Sequence, residues 1–129
     1  MSGFPSLAWM SAFQKAANSD EELALIGRWF TTSFLFEAGE TRYVFQVEGG
    51  KLTQVIPEPR FDQGWSFALR APVEHWRKFI QPLPPPLFNE IFAMSMRVPE
   101  FRLEGDTLAA MQNARALQRF MSLMRKVGV

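Results

Sequence analysis

The chain carries one histidine, His75, beside Glu74, and no cysteine. An imidazole next to a carboxylate suggests a general base. Such a base needs a nucleophile or an acidic substrate proton within about 3 Å, and a partner that orients it. Nothing at a matching spacing supplies that set, so His75 is expected on the surface of the helix that bears it. Asp106 follows Gly105 and opens a long helical pattern, where a helix cap explains its carboxylate fully. Asp62, near Arg60, lies in a loop bounded by proline and glycine and is expected to be solvated. Arg115, Arg119 and Lys126, with Arg125, form a basic stripe that could meet a phosphate or an acidic partner. In a chain of net charge +1 such a stripe reads as a solvated helix face. Gly49-Gly50 lacks the pattern that cradles phosphates and reads as a turn. One histidine and no cysteine exclude disulfides, thiol catalysis, cysteine-bound zinc and histidine-rich metal sites. Neither catalysis nor a cofactor is expected.

What remains is apolar chemistry. Thirteen Phe, seven Met and four Trp stand against one Tyr, so most of the aromatic area has no polar handle. Methionine is flexible and polarizable, and suits either an ordinary core or a surface that repacks around variable apolar guests. At 129 residues and 47% hydrophobic content the chain is expected to form a single domain, residues 1–129, with a sizeable core. The near-neutral charge gives no electrostatic case for nucleic acid or an anionic membrane. No apolar run approaches the ~20 residues that span a bilayer, and the first residues lack the basic region and continuous apolar core expected of a signal peptide. A cytoplasmic protein without stable membrane insertion is the expectation.

The elements that must position these residues follow from periodicity. Leu7, Met10, Phe13 and Ala17 mark an amphipathic helix starting near Pro5-Ser6. Ser19 with Glu22 reads as a capping box for a second helix that buries Leu23, Ile26 and Phe30. The period then shifts to two. Strands are expected over 31–37, 42–48, 52–56 and 65–70, joined as a meander, with Trp65, Phe67 and Leu69 on the inner face. Pro72 fits the first turn of a helix over 72–81 that buries Val73, Trp76 and Ile80. Gln81 to Pro86 is a stiff proline-rich spacer. Phe101 to Glu104 is a fifth strand. Thr107 to Val127 reads as one continuous helix with Ala110, Ala114, Leu117, Met121 and Met124 on its buried stripe.

Residues 87–96 are apolar nearly all round, so they must be buried on most sides, border a cavity or dock a partner. Held between the proline spacer and Pro99, they suit a lid over a pocket of roughly 300–1,000 Å³. Phe88, Ile91, Phe92 and Met94 are expected to form one wall. Leu117, Phe120, Met121 and Met124 would face them, with Asn113 the one polar side chain placed to meet a ligand head group.

The order of elements resembles the sterol carrier protein type 2 family. The resemblance is carried by Glu22-Leu23-Ala24 with Gly27, by Phe45-Gln46-Val47-Glu48-Gly49-Gly50-Lys51 and by His75-Trp76-Arg77-Lys78-Phe79-Ile80. Above all it rests on Phe101-Arg102-Leu103-Glu104-Gly105-Asp106 running into the last helix. It implies an α+β fold: a five-stranded, mainly antiparallel sheet with helices packed on one face, and a tunnel for an apolar ligand (lipid, sterol, fatty acid or acyl-CoA). The implied role is non-catalytic binding and transfer, with a lipid-metabolising enzyme or a second copy of the chain as a candidate partner. Residues 82–100 depart from the family pattern, at the mouth of the tunnel. The family's peroxisomal Ser-Lys-Leu ending is also absent. Two other readings stand beside the carrier: a small enzyme with an apolar cavity, of isomerase or dehydratase type, and an accessory domain that docks a partner through Phe88 and Phe92.

Overall fold

The computed structural model describes residues 3–128. Two helices come first, α1 (Leu7–Asn18) and α2 (Glu21–Ile26). Strands β1 (Thr32–Ala38), β2 (Thr41–Glu48), β3 (Lys51–Pro57) and β4 (Phe67–Ala71) follow. Helices α3 (Val73–Phe79) and α4 (Ile91–Arg97), strand β5 (Arg102–Gly105), and helices α5 (Thr107–Gln112) and α6 (Ala114–Ser122) complete the order, ending in a 3₁₀ turn at Leu123–Lys126. The fold is α+β.

The sheet has the strand order β3-β2-β1-β4-β5. The first three strands form the expected hairpins, but β4 does not extend the meander. It crosses to the far side of β1 and pairs with it in parallel, Phe34 opposite Phe67 and Phe36 opposite Leu69, while β5 pairs antiparallel to β4. The reason lies in β1 itself. Phe34, Leu35 and Phe36 are all fully buried, so both faces of this strand need cover and it takes the centre of the sheet. Trp65 lies outside the β4 ladder and packs with Ile56 against Leu35, Val44 and Ala68 on the face away from the main core, rather than inward as the alternation suggested.

Two helix boundaries and one buried face also differ from the sequence reading. Asp20, not Ser19, caps α2: its carboxylate accepts from Leu23 N at 2.8 Å, while the Ser19 hydroxyl donates back to Lys15 O. On α1 it is Trp9, not Leu7, that joins Met10, Phe13 and Ala17 in the core. The last helix is broken at Asn113, whose side chain donates to Ala109 O at 2.9 Å and whose backbone (φ −113°, ψ 26°) leaves the helical region. An asparagine amide competing for backbone partners is a sufficient cause. Gly50, at φ +80°, sits where a Cβ would meet Gly27 O at 2.8 Å, so only glycine lets the β2–β3 turn approach the end of α2.

The core lies between the sheet and the helices and is mainly aromatic. Phe34 stacks on Phe67 at 4.9 Å, Phe36 meets Trp76 at 4.6 Å, and Phe120 of α6 sits edge-on to Phe13 at 5.3 Å.

Candidate functional site

Every side chain expected in the two cavity walls belongs to one apolar cluster. Ile91 and Met94 of α4 and Leu117, Phe120, Met121 and Met124 from α6 and the 3₁₀ turn are fully buried within it. Phe88 and Phe92 are partly buried against the same cluster. The two walls meet through packed side chains. Asn113 stands at the α5–α6 break, half-buried, with its amide committed to Ala109 O.

The open apolar space lies one helix face away. A groove of about 390 Å³ runs between α4, β5 and the α5–α6 junction, lined by Phe92, Ser95, Met96, Leu103, Met111 and Ala114. Phe92, Ser95 and Met96 recur at helical spacing on the flank of α4 next to its buried Ile91 and Met94. Met96 is 82% exposed and Met111 61% exposed, so two flexible thioether side chains form the rim. No charged side chain lines the groove, and the Ser95 hydroxyl donates to Phe92 O at 2.8 Å. Of the nine expected contact residues, Phe92 is the one that reaches this groove. Met111 carried a signal in the sequence, since it falls off the buried stripe of the last helix. Met96, Leu103 and Ala114 carried none, because their meeting depends on how α4 crosses β5.

Helix α4 is held by a few polar fastenings. At its start the Glu90 carboxylate accepts from Phe92 N and Ala93 N, and the Gln118 amide accepts from Ile91 N and donates to Asn89 O. Arg125 lies over the Phe79 ring at 4.5 Å and donates to Phe79 O and Asn89 O. Burial pushes its guanidinium below its usual pKa. At the far end His75 Nε2 lies 3.0 Å from Pro99 O, and Nδ1 is buried without a partner. His75 is thus half-buried rather than on the surface, and it joins α3 to the α4–β5 link with its ring edge-on to Phe88. Its neighbours are a carbonyl, an aromatic ring and Glu100 at 3.8 Å. No hydroxyl or thiol stands among these contacts.

The basic stripe of the last helix is not uniformly solvated. Arg119 donates twice to Asp20, at 2.9 and 2.7 Å, and the Asp20 side chain is only 5% exposed. The hydrogen bonds from Arg119 hold the Asp20 carboxyl below the usual carboxylate range, against the opposing effect of burial. This pair ties α6 to the cap of α2. On the other face of the sheet, Arg70 pairs with both Glu37 and Glu104 at 2.8 Å. Among the described residues no cluster of three or more His, Cys, Asp and Glu could hold a metal ion, and no helix is long and apolar enough to cross a membrane.

No protein-family model and no curated protein sequence matches the chain. Solved structures do. A crystal structure of sterol carrier protein 2 superposes with a TM-score of 0.74 at 18% identity, covering 94% of this chain and 96% of that one. The solution structure of a candidate sterol carrier protein from Thermus thermophilus gives 0.74 at 16% identity, over 99% of this chain and 92% of that one. A structure named UbiJ-SCP2, a ubiquinone synthesis protein, gives 0.56 at 13% identity, over 88% and 90%. With the mixed five-stranded sheet and its helical cover, these likenesses show that the chain has the sterol carrier protein 2 fold.

Proposed function

We propose that this chain is a non-catalytic carrier that shields an apolar ligand (a lipid, a sterol or a fatty acyl chain) from water, acting as a single domain in the cytoplasm. The observation that carries this reading is the uncharged groove of about 390 Å³ beside α4. That volume lies within the range of small-ligand sites. Burial of a chain there gains about 25 cal/mol per Å² without specific polar contacts. Phe92 forms part of the entrance. Phe88, Ile91, Met94, Leu117, Phe120, Met121 and Met124 form the deeper surface that a longer ligand meets when α4 shifts, and Asn113 flanks it at the helix break. The names of the similar structures support the ligand class, and the ubiquinone synthesis protein among them supports a lipid-metabolising enzyme as recipient.

Two measurements test the reading. Mass spectrometry of apolar material extracted from the purified protein should find a bound lipid. Titration with a fluorescent fatty acid should show binding that weakens several-fold in Phe92→Trp and Met111→Trp. Both positions border open space, so their thermal midpoints should match the parent. Unchanged affinity in both variants would overturn the groove as the entrance.

A further inference from the structure

Among the described residues three that are not glycine have positive φ: Glu58 (+44°), Leu87 (+76°) and Glu100 (+74°). The last two bracket α4. Leu87 follows Pro86, and Phe88 N donates to Pro85 O at 3.0 Å. Glu100 follows Pro99, and Phe101 N donates to Val98 O at 3.2 Å. With proline at the first central position and positive φ at the second, both are type II turns. Leu87 and Glu100 thus stand where such a turn ordinarily has glycine, and a larger residue there is strained. Glu58 differs, because its N–H donates to Arg42 O beside the β2–β3 ladder.

The strain has an outlet. Turning over the peptide between the two central residues converts a type II turn to type I, which most residues accept. At the α4–β5 turn that peptide carries Pro99 O, the atom 3.0 Å from His75 Nε2. A carbonyl only accepts, so Nε2–H donates, and the bond holds the peptide in its type II orientation. The Glu100 side chain does not hold it, being exposed. At the other end Gln118 and Arg125 both donate to Asn89 O, two residues past Leu87. Helix α4 is therefore pinned at its start, while its last turn carries Met96 of the groove toward the His75 bond. We infer that residues 88–98 form a lid that pivots near Asn89, with His75 the positioning residue that latches the strained Pro99–Glu100 turn. When the peptide turns over, the end of α4 swings free and joins the groove to the deeper apolar surface. This rests on the carrier reading above and names its moving part.

The test is NMR of the ligand-free chain, reading hydrogen exchange amide by amide and the contact between Pro99 Hα and the Glu100 N–H. That contact is close in a type II turn and distant in type I. His75→Phe keeps a ring against Phe88 and removes the donor. It should weaken the contact and speed exchange at Ser95 to Val98 about ten-fold, with the amides of β1 and β2 unmoved. Glu100→Gly relaxes the turn and should slow the same exchange about three-fold. The double variant His75→Phe/Glu100→Gly should regain the close contact, and so should His75→Gln, whose amide donates in place of Nε2–H. A close contact undiminished in His75→Phe overturns the latch. Faster exchange spread evenly over β1 and β2 overturns the lid, since the loss would then be global. Titration of the same variants with the fluorescent fatty acid separates this from the carrier reading. Variants that open α4 while no form of the chain binds the fatty acid keep the lid and remove the carrier. Fatty-acid binding with α4 exchange unchanged in every variant keeps the carrier and removes the lid.

Discussion

The interior and the groove beside α4 are both apolar, yet they are built from different residues. In the interior Phe13, Phe34 and Phe45 surround Phe120 at centroid distances of 5.3, 5.9 and 6.1 Å. Rings with two torsions and a directional quadrupole favour one packing arrangement over others. The groove shares one ring with that cluster, Phe92, and is otherwise lined by Ser95, Met96, Leu103, Met111 and Ala114, where unbranched thioethers and small residues set no unique shape. The helix between the two regions, α4, is fastened at its ends by Glu90, Gln118, Arg125 and His75 rather than by a ladder of strand bonds. On the carrier reading proposed above, a guest belongs at the adaptable edge, with the aromatic interior as the fixed floor.

The largest effect that separates the two regions is cavity formation. Leu117→Ala should destabilise the fold by about 2–5 kcal/mol, because a fully buried leucine leaves a void in the packed cluster that relaxes only partly. Met111→Ala, at 61% exposure, should stay within about 0.5 kcal/mol. Urea unfolding of the two variants measures both. Equal losses would erase the distinction between floor and edge.

A second contrast lies between two arginines of one helix. Arg119→Ala leaves the buried Asp20 carboxylate without its bidentate partner and should cost about 2–4 kcal/mol. Arg115→Ala, which removes no hydrogen bond or ion pair among the described residues, should stay within about 0.5 kcal/mol. Thermal unfolding of both checks this. A small loss at Arg119 would mean that Lys126 and water take over the carboxylate.

Element types were largely legible in the sequence, because each depends on local signals. The shift in period from helix to strand, the Gly49-Gly50 turn and the start of α1 near Pro5-Ser6 were all readable, and the order of elements resembled the family whose fold the structure has. What was hidden depends on distant partners. Arg119 looked like a solvated face until Asp20, ninety-nine residues away, was brought beneath it. The parallel placement of β4 left only an indirect trace, the run Phe34-Leu35-Phe36 that is too apolar for a strand with one wet face. The apolar character of 87–96 pointed to a cavity region. Which of its faces borders open space depends on the crossing of α4 over β5, and no periodicity records that.

The smallest expected effect is a change in the shape of the stability curve in acid. Asp20 has its pKa lowered in the folded state, so in acid the unfolded chain takes up that proton first. The stabilisation from the Asp20–Arg119 pair is therefore complete above the unfolded carboxylate value of about 3.9, and it is lost as pH falls below that toward the folded value. Thermal midpoints of the parent should be flat from neutral pH to about 5 and then decline. Arg119→Ala should lower the neutral plateau and make the acid decline shallower, because the shift it sustains is gone. The groove lining contains no titratable side chain, so Met111→Ala should leave the shape of the curve unchanged. An acid decline of the same steepness in Arg119→Ala and the parent would place the pH dependence on other carboxylates and remove the pair from its role under the interior.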